Sequence, residues 1–184
     1  MAIIYELWVE CLVAADAEHL AHHFNHWKHT LLNGQTVTWA ATLDPYRDLP
    51  TAVSISSNQV YYSHIRNLAA ALILTEAALH LYQHLRSAPP FRYARVDWEA
   101  GHIPLTDLPE WLEPYDDKGH TLPFECVIDD ELYHTLDRPR RFTPFRPGYW
   151  WRPYEGEIYR PLRSEDQPAL NRLYDSFFKN TEVL

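Results

Sequence analysis

Eleven histidines stand in 184 residues, and five of them, His19, His22, His23, His26 and His29, fall in one short stretch. At about 100° per residue a helix carries these five within an arc of about 120°. An apolar stripe of Leu20, Phe24, Trp27 and Leu31 runs beside them. Farther along, Glu76, His80 and His84 recur every fourth residue and so share one helical face. Neutral imidazoles at i and i+4 chelate Zn²⁺ or a similar borderline ion. Two such helices lying side by side bring His22 or His26 to His80 or His84, with Glu76 as an oxygen ligand. That arrangement describes a metal-binding protein, or a metal-dependent enzyme if a coordination position stays open to water. No HExxH signature accompanies it. A solvated histidine face, or a face that responds to pH near neutrality, accounts for the same residues.

A second group lies late in the chain. Phe142, Phe145, Tyr149, Trp150, Trp151, Tyr154 and Tyr159 are interleaved with Arg146, Arg152 and Arg160. Each ring buries about 150–250 Å², so the set will not remain in water. One reading folds this arm over an otherwise bare sheet face, where Trp8 also points. The other makes Trp150, Trp151 and Arg152, with Tyr149, Arg146 and Tyr154, a surface for another protein, because Trp, Tyr and Arg dominate interface hot spots.

Charge is distributed unevenly. The net charge is −9. Residues 97–131 hold 11 acids against Lys118 alone, whereas residues 132–163 hold 7 arginines against Asp137, Glu155 and Glu157. The overall acidity argues against nucleic acid. The two blocks either face each other across the fold or serve a partner. Asp116-Asp117-Lys118-Gly119 and Asp129-Asp130-Glu131 lack the spacing of an EF-hand loop. The five glycines stand too far apart for a GxGxxG turn or a phosphate loop, and no GxSxG elbow exists. Cys11 and Cys126 form no CxxC pair. No basic leader precedes the first apolar stretch, and the longest apolar run, Leu68 to Leu74, is too short for a membrane span. Cytoplasmic location without a membrane partner is the expectation.

The elements that position these groups follow from periodicity. Tyr5, Leu7, Val9, Cys11 and Val13 alternate with Glu6, Trp8 and Glu10, which predicts a half-buried strand. Asp16 precedes a helix to about Leu32, closed at Asn33-Gly34. Residues 36–43 and a run from Ala52 read as strands. A long helix covers about Ile65 to Arg86 and stops before Pro89-Pro90, and Phe91 to Trp98 is strand-like. The order β-α-β-β-α-β is that of a ferredoxin-like split βαβ sandwich, an α+β fold, over residues 1–98.

Residues 99–184 are expected to form an extension packed on that core. It comprises an acidic segment (99–131), an Arg/aromatic arm (138–163) and a terminal helix (164–179) opened by a Ser164/Gln167 capping box. Short helices are expected near Leu108–Leu112, behind Thr106, and over Glu131–Leu136. Arg-Pro occurs four times in the arm, so it is read as extended, turning back at Tyr154-Glu155-Gly156-Glu157. The reading that results is a non-catalytic protein–protein interaction module, an adaptor, assembly factor or inhibitor-like protein. It needs no cofactor, and its bare sheet face also admits a homodimer. The metal site is the rival.

Overall fold

The computed structural model describes residues 4–43, 51–60, 65, 67–98, 100–102, 105–109, 125–137, 141–154, 156 and 167–178. Among these residues the chain is a mixed α+β protein with a seven-stranded antiparallel sheet and four helices. In chain order they are β1 (Tyr5–Glu10), α1 (Ala14–Phe24), β2 (Lys28–Thr30), β3 (Thr36–Thr38), β4 (Ala40–Leu43), β5 (Ala52–Ser56), α2 (Leu68–Leu85) and β6 (Tyr93–Trp98). Then come β7 (Cys126–Asp129), α3 (Asp130–Thr135), β8 (Thr143–Arg146), β9 (Tyr149–Arg152) and α4 (Gln167–Phe178). The sheet order is β4-β5-β1-β6-β7-β9-β8, and β2 and β3 pair separately.

Alternation along β1 divides the two layers. Leu7 and Val9 join Val53, Ile55, Val96, Val127 and Trp151 in the core beneath α1 and α2. Trp8 points the other way and packs with Ala52, Tyr93, Cys126 and Ile128. β1 is paired on both sides, Leu7 facing Ile55 of β5 and Val96 of β6. It is buried on both faces rather than half-buried. The second face is covered by two 3₁₀ turns, Ala100–His102 and Leu105–Asp107. The backbone of Gly101 lies against the Trp8 ring, where an added Cβ would come within 2.7 Å of Cε3.

Helix α2 is rich in Ala and Leu, which suits an element buried on most sides. Asn67 caps it, its Oδ1 accepting from the Ala70 N–H at 2.9 Å. In α3, Asp129 does the same for Leu132 N–H at 2.7 Å. Helix α1 ends eight residues before the expected Leu32. His26 takes a left-handed conformation, φ 63°, and its N–H donates to Trp39 O at 3.0 Å. The chain then becomes the β2–β3 hairpin, Lys28–Thr30 against Thr36–Thr38. Its turn holds Asn33-Gly34, with Gly34 at φ 85°. Asn-Gly between two short β-branched runs is a hairpin signal that competes with helix, and here it wins.

The arm also departs from expectation. Its described part, residues 141–154, is not a layer laid across the second sheet face, although Phe142 and Trp150 pack on that face. It extends the sheet, β9 pairing with β7 through Val127–Trp151 and with β8 through Thr143–Trp151. The turn is Pro147-Gly148, with Gly148 at φ 80°, ahead of the expected one. The expected turn at residues 154–157, the helix beyond Pro109 and the Ser164 capping box fall wholly or partly outside the described residues, as does most of the acidic segment.

Candidate functional site

Three places gather the side chains singled out above, and alternation along the strands decides where each goes. In β9 successive residues point to opposite faces, so Trp150 and Trp151 cannot share one surface. Trp151 is 3% exposed. It packs on Tyr82 of α2 at 5.5 Å and on Phe145 at 5.7 Å between ring centroids. Tyr154 is buried too, its hydroxyl 3.3 Å from that of Tyr5. Both are core residues, which corrects their expected place on a partner surface. Tyr149 accepts the Phe91 N–H at 3.0 Å.

Arg146 is engaged inside the chain. Its Nη1 donates to the carbonyls of Ala88 at 2.6 Å, Arg86 at 3.1 Å and Leu85 at 3.4 Å, and its Nη2 donates to Pro89 O at 3.3 Å. The guanidinium lies over Tyr149, 4.1 Å from the ring centroid. It thus closes the carbonyl end of α2, the negative pole of the helix dipole. Arg86 returns the contact, donating to Phe145 O at 2.6 Å and covering the Phe145 ring. The two arginines bolt the β8–β9 hairpin to α2.

Trp150 alone of the adjacent tryptophans keeps a half-exposed face. Its ring stacks on Tyr133 at 4.2 Å and 16°, with Phe142 beside Tyr133 at 5.9 Å. Its Nε1 donates to Asp130 Oδ1 at 2.7 Å. Glu131, 75% exposed, reaches Arg92 loosely at 3.5 Å.

The histidines form a column of rings. His84 lies between His23 at 4.3 Å and Trp27 at 4.1 Å, nearly parallel to both. His29 packs on His80 at 4.1 Å and on Trp27 at 4.9 Å. Trp39 Nε1 donates to His29 Nδ1 at 3.1 Å, so neutral His29 carries its proton on Nε2, which is buried without a partner among the described residues. Burial, then the charges of His80 and His84, hold His29 down to about 4. Burial alone takes His80 to about 4. His84 is lowered by burial and then by His23. Glu76, 3.8 Å from His80 Nε2, is raised by burial against the opposing bond from Leu32 N–H.

The column corrects the expected ligand set. His80 and His84 do meet histidines from the first helix region, but these are His23 and His29. His22 and His26 are exposed, because the helix ends early and turns them away. Stacked imidazoles direct their nitrogens in parallel rather than toward one point. Among the described residues no three His, Cys, Asp or Glu side chains are placed to hold an ion. His23, His29, Trp27 and Trp39 lie outside the expected ligand set, and it is the position of the helix end that brings them together.

The third place lies on the second sheet face, where Glu6 and Glu10, expected on the solvent side of β1, are buried. Glu6 accepts from Ser54 Oγ and from Gly101 N–H at 3.1 Å. Glu10 accepts from Trp8 Nε1 at 3.0 Å and Leu105 N–H at 2.9 Å. These carboxylates fasten the 3₁₀ segment over the sheet. Arg95 pairs with Asp97. Cys126 sits across from Arg152; burial pushes its thiol up to about 12 against the pull of Arg152 and Arg95. Cys11 and Cys126 are both free and buried. No described helix is long and apolar enough to cross a membrane. Comparison with protein-family models, curated proteins and solved structures finds no match for this chain.

Proposed function

We propose that the chain is a non-catalytic protein–protein interaction module whose contact surface centres on Trp150, Tyr133 and Phe142. The carrying observation is the Tyr133–Trp150 stack at 4.2 Å, half-exposed and bordered by the carboxylates of Asp130 and Glu131. A stacked aromatic pair offers large rigid contact area at little entropic cost, and carboxylates at its rim select a cationic partner. Arg152, Trp151 and Tyr154 are better read as structural, and Arg146 and Tyr149 as the fastening of the hairpin.

The finer architecture follows the same reading. The run β1-α1-β4-β5-α2-β6 with strand order β4-β5-β1-β6 supports a ferredoxin-like split βαβ core, with the β2–β3 hairpin inserted. Residues 99–184 extend it through β7, β8 and β9. Two unpaired buried cysteines suit a reducing compartment such as the cytoplasm.

The test is co-purification from the source lysate with wild type, Trp150→Ala and Glu131→Lys as baits, each first checked for native circular dichroism. The reading expects a defined basic protein retained by wild type, released by raised salt and lost with either substitution. Equal retention by all three baits, or none by wild type, removes it.

A further inference from the structure

Among the described residues, β2 and β3 pair outside the seven-stranded sheet, with three residues in each strand. A hairpin this short is barely stable alone in water, so its contacts with the rest of the chain hold it. Gln35 Nε2 donates to Gln59 O at 2.9 Å, and Thr38 N–H to Gln59 Oε1 at 2.6 Å. Against α2, Leu32 N–H donates to Glu76 Oε1 at 2.7 Å, Trp27 lies on His84, and His29 lies on His80. The bonds to Gln59 do not titrate; the contacts with α2 do.

A proton on His80 has Glu76 to meet it, 3.8 Å from Nε2. A proton on His29 meets no acceptor. The Trp39 indole only donates, and its N–H is aimed at His29 Nδ1 from 3.1 Å. An imidazolium carries N–H on both nitrogens, so at Nδ1 donor would face donor and the bond to Trp39 is lost. Nε2 is buried without a partner among the described residues and offers no relief. His80 and His84 of α2 add like charge, and His23 of α1 stacks on His84. His26 and Lys28, beside the ring in sequence, are exposed. Helix α4 presents Phe177 to His80; its Arg172 and Asp175 lie about 140–160° round the helix from Phe177.

We propose that His29 is a proton-operated latch, whose protonation breaks the bond from Trp39 and releases the β2–β3 hairpin from α2 while the seven-stranded sheet stays closed. Release uncovers Leu31, Val37 and Trp39, which the hairpin now buries. The latch packs with the core beneath α1 and α2, whereas Trp150 packs on the other sheet face, so the device is independent of the Trp150 surface.

The test is amide exchange at pH 7 and pH 5, expressed as protection over an unstructured chain, on wild type and His29→Asn. The asparagine Oδ1 stands where Nδ1 does and keeps an acceptor for Trp39, but it does not titrate. Burial first, then His80 and His84, hold His29 down to about 4 in the closed hairpin. Once free it returns to about 6.5, so the open hairpin binds more protons and opening grows easier as pH falls. Allowing for partial exposure of the ring, protection at the bonded amides of Leu31, Leu32 and Trp39 is expected to fall about 5–20-fold from pH 7 to pH 5. His29→Asn is expected to abolish most of that fall. At pH 5 these amides should be less protected than those of β1 and β6, and nearly insensitive to urea below the unfolding transition, as local opening requires. Equal protection and equal urea dependence in hairpin and β1 mean global unfolding and overturn the proposal. So does an undiminished fall in His29→Asn, or no fall in wild type. Should His29→Asn fail to fold, His29→Gln, which cannot titrate either, decides by the same ratio.

Discussion

Replacing Arg146 by alanine removes a guanidinium that donates to four carbonyls at the end of α2 and lies over Tyr149 and Phe91. Hydrogen bonds from a charged donor are worth about 1.5–3 kcal/mol each, but the four are not additive. Two are long, at 3.3 and 3.4 Å, and three share one nitrogen. Counting the two short ones and discounting for partial exposure gives a cost of about 2–4 kcal/mol. At about 2–4 °C per kcal/mol for a chain of this length, Tm falls by roughly 5–15 °C. Arg146→Lys keeps the charge but loses the fork and the stacking, and is expected to recover less than half. Urea melts supply the free energies, and amide exchange should show opening concentrated at the end of α2 and in β8–β9. If Arg146→Ala lies within about 0.5 kcal/mol of wild type, the range of ordinary surface substitutions, the bolt carries no load and Arg146 returns to the pool of partner-binding candidates.

Trp151→Ala, which empties a core site against Tyr82 and Phe145, is expected to cost about 3–5 kcal/mol in the same melts. Trp150→Ala, half-exposed, should cost less than half as much. Equal effects would contradict the opposite facing of the two rings. The histidine column sets a pH dependence. His29 and His80 titrate near 4 when folded and near 6.5 when unfolded, so between these values the unfolded chain binds more protons. Their contribution is fully present above about pH 6.5 and is lost as pH falls toward 4. After allowance for partial exposure it is on the order of 1–2 kcal/mol each. Urea melts from pH 7 to 4 should show the slope, and His80→Gln should flatten it; an unchanged slope in that variant refutes the assignment.

The legible parts of this chain were those whose cause is local. Period-two alternation located β1, a strand-like run located β6, and the Ala/Leu run located α2. What could not be read was decided by competition or by pairing at a distance. At Trp27–Thr30 the helical stripe and the hairpin signal of Asn33-Gly34 overlap, and the hairpin prevailed because Trp39 holds both His26 and Trp27 by their backbones. That switch exchanged His22 and His26 for His23 and His29. In the arm, composition exposed a dense aromatic cluster, but only the partnering of β9 with β7 fixed which rings went inward. Glu6 and Glu10 looked like the wet side of a strand; they are buried, with backbone donors supplied by Gly101 and Leu105.

The placement of β1 also governs the order in which the sheet can assemble. The strand nearest the start of the chain occupies the interior of the sheet, and its neighbours lie far downstream, Ala52–Ser56 on one side and Tyr93–Trp98 on the other. At about 5–20 residues per second of synthesis, Leu7 and Val9 wait seconds for β5 and longer for β6. During that interval β1 is an apolar strand with both backbone edges open. Such a non-local sheet closes slowly, and β7 to β9 have no edge to join until β6 is in place. The nascent chain is therefore most prone to aggregate between the synthesis of β1 and that of β6, and a chaperone that shields extended apolar segments would act there.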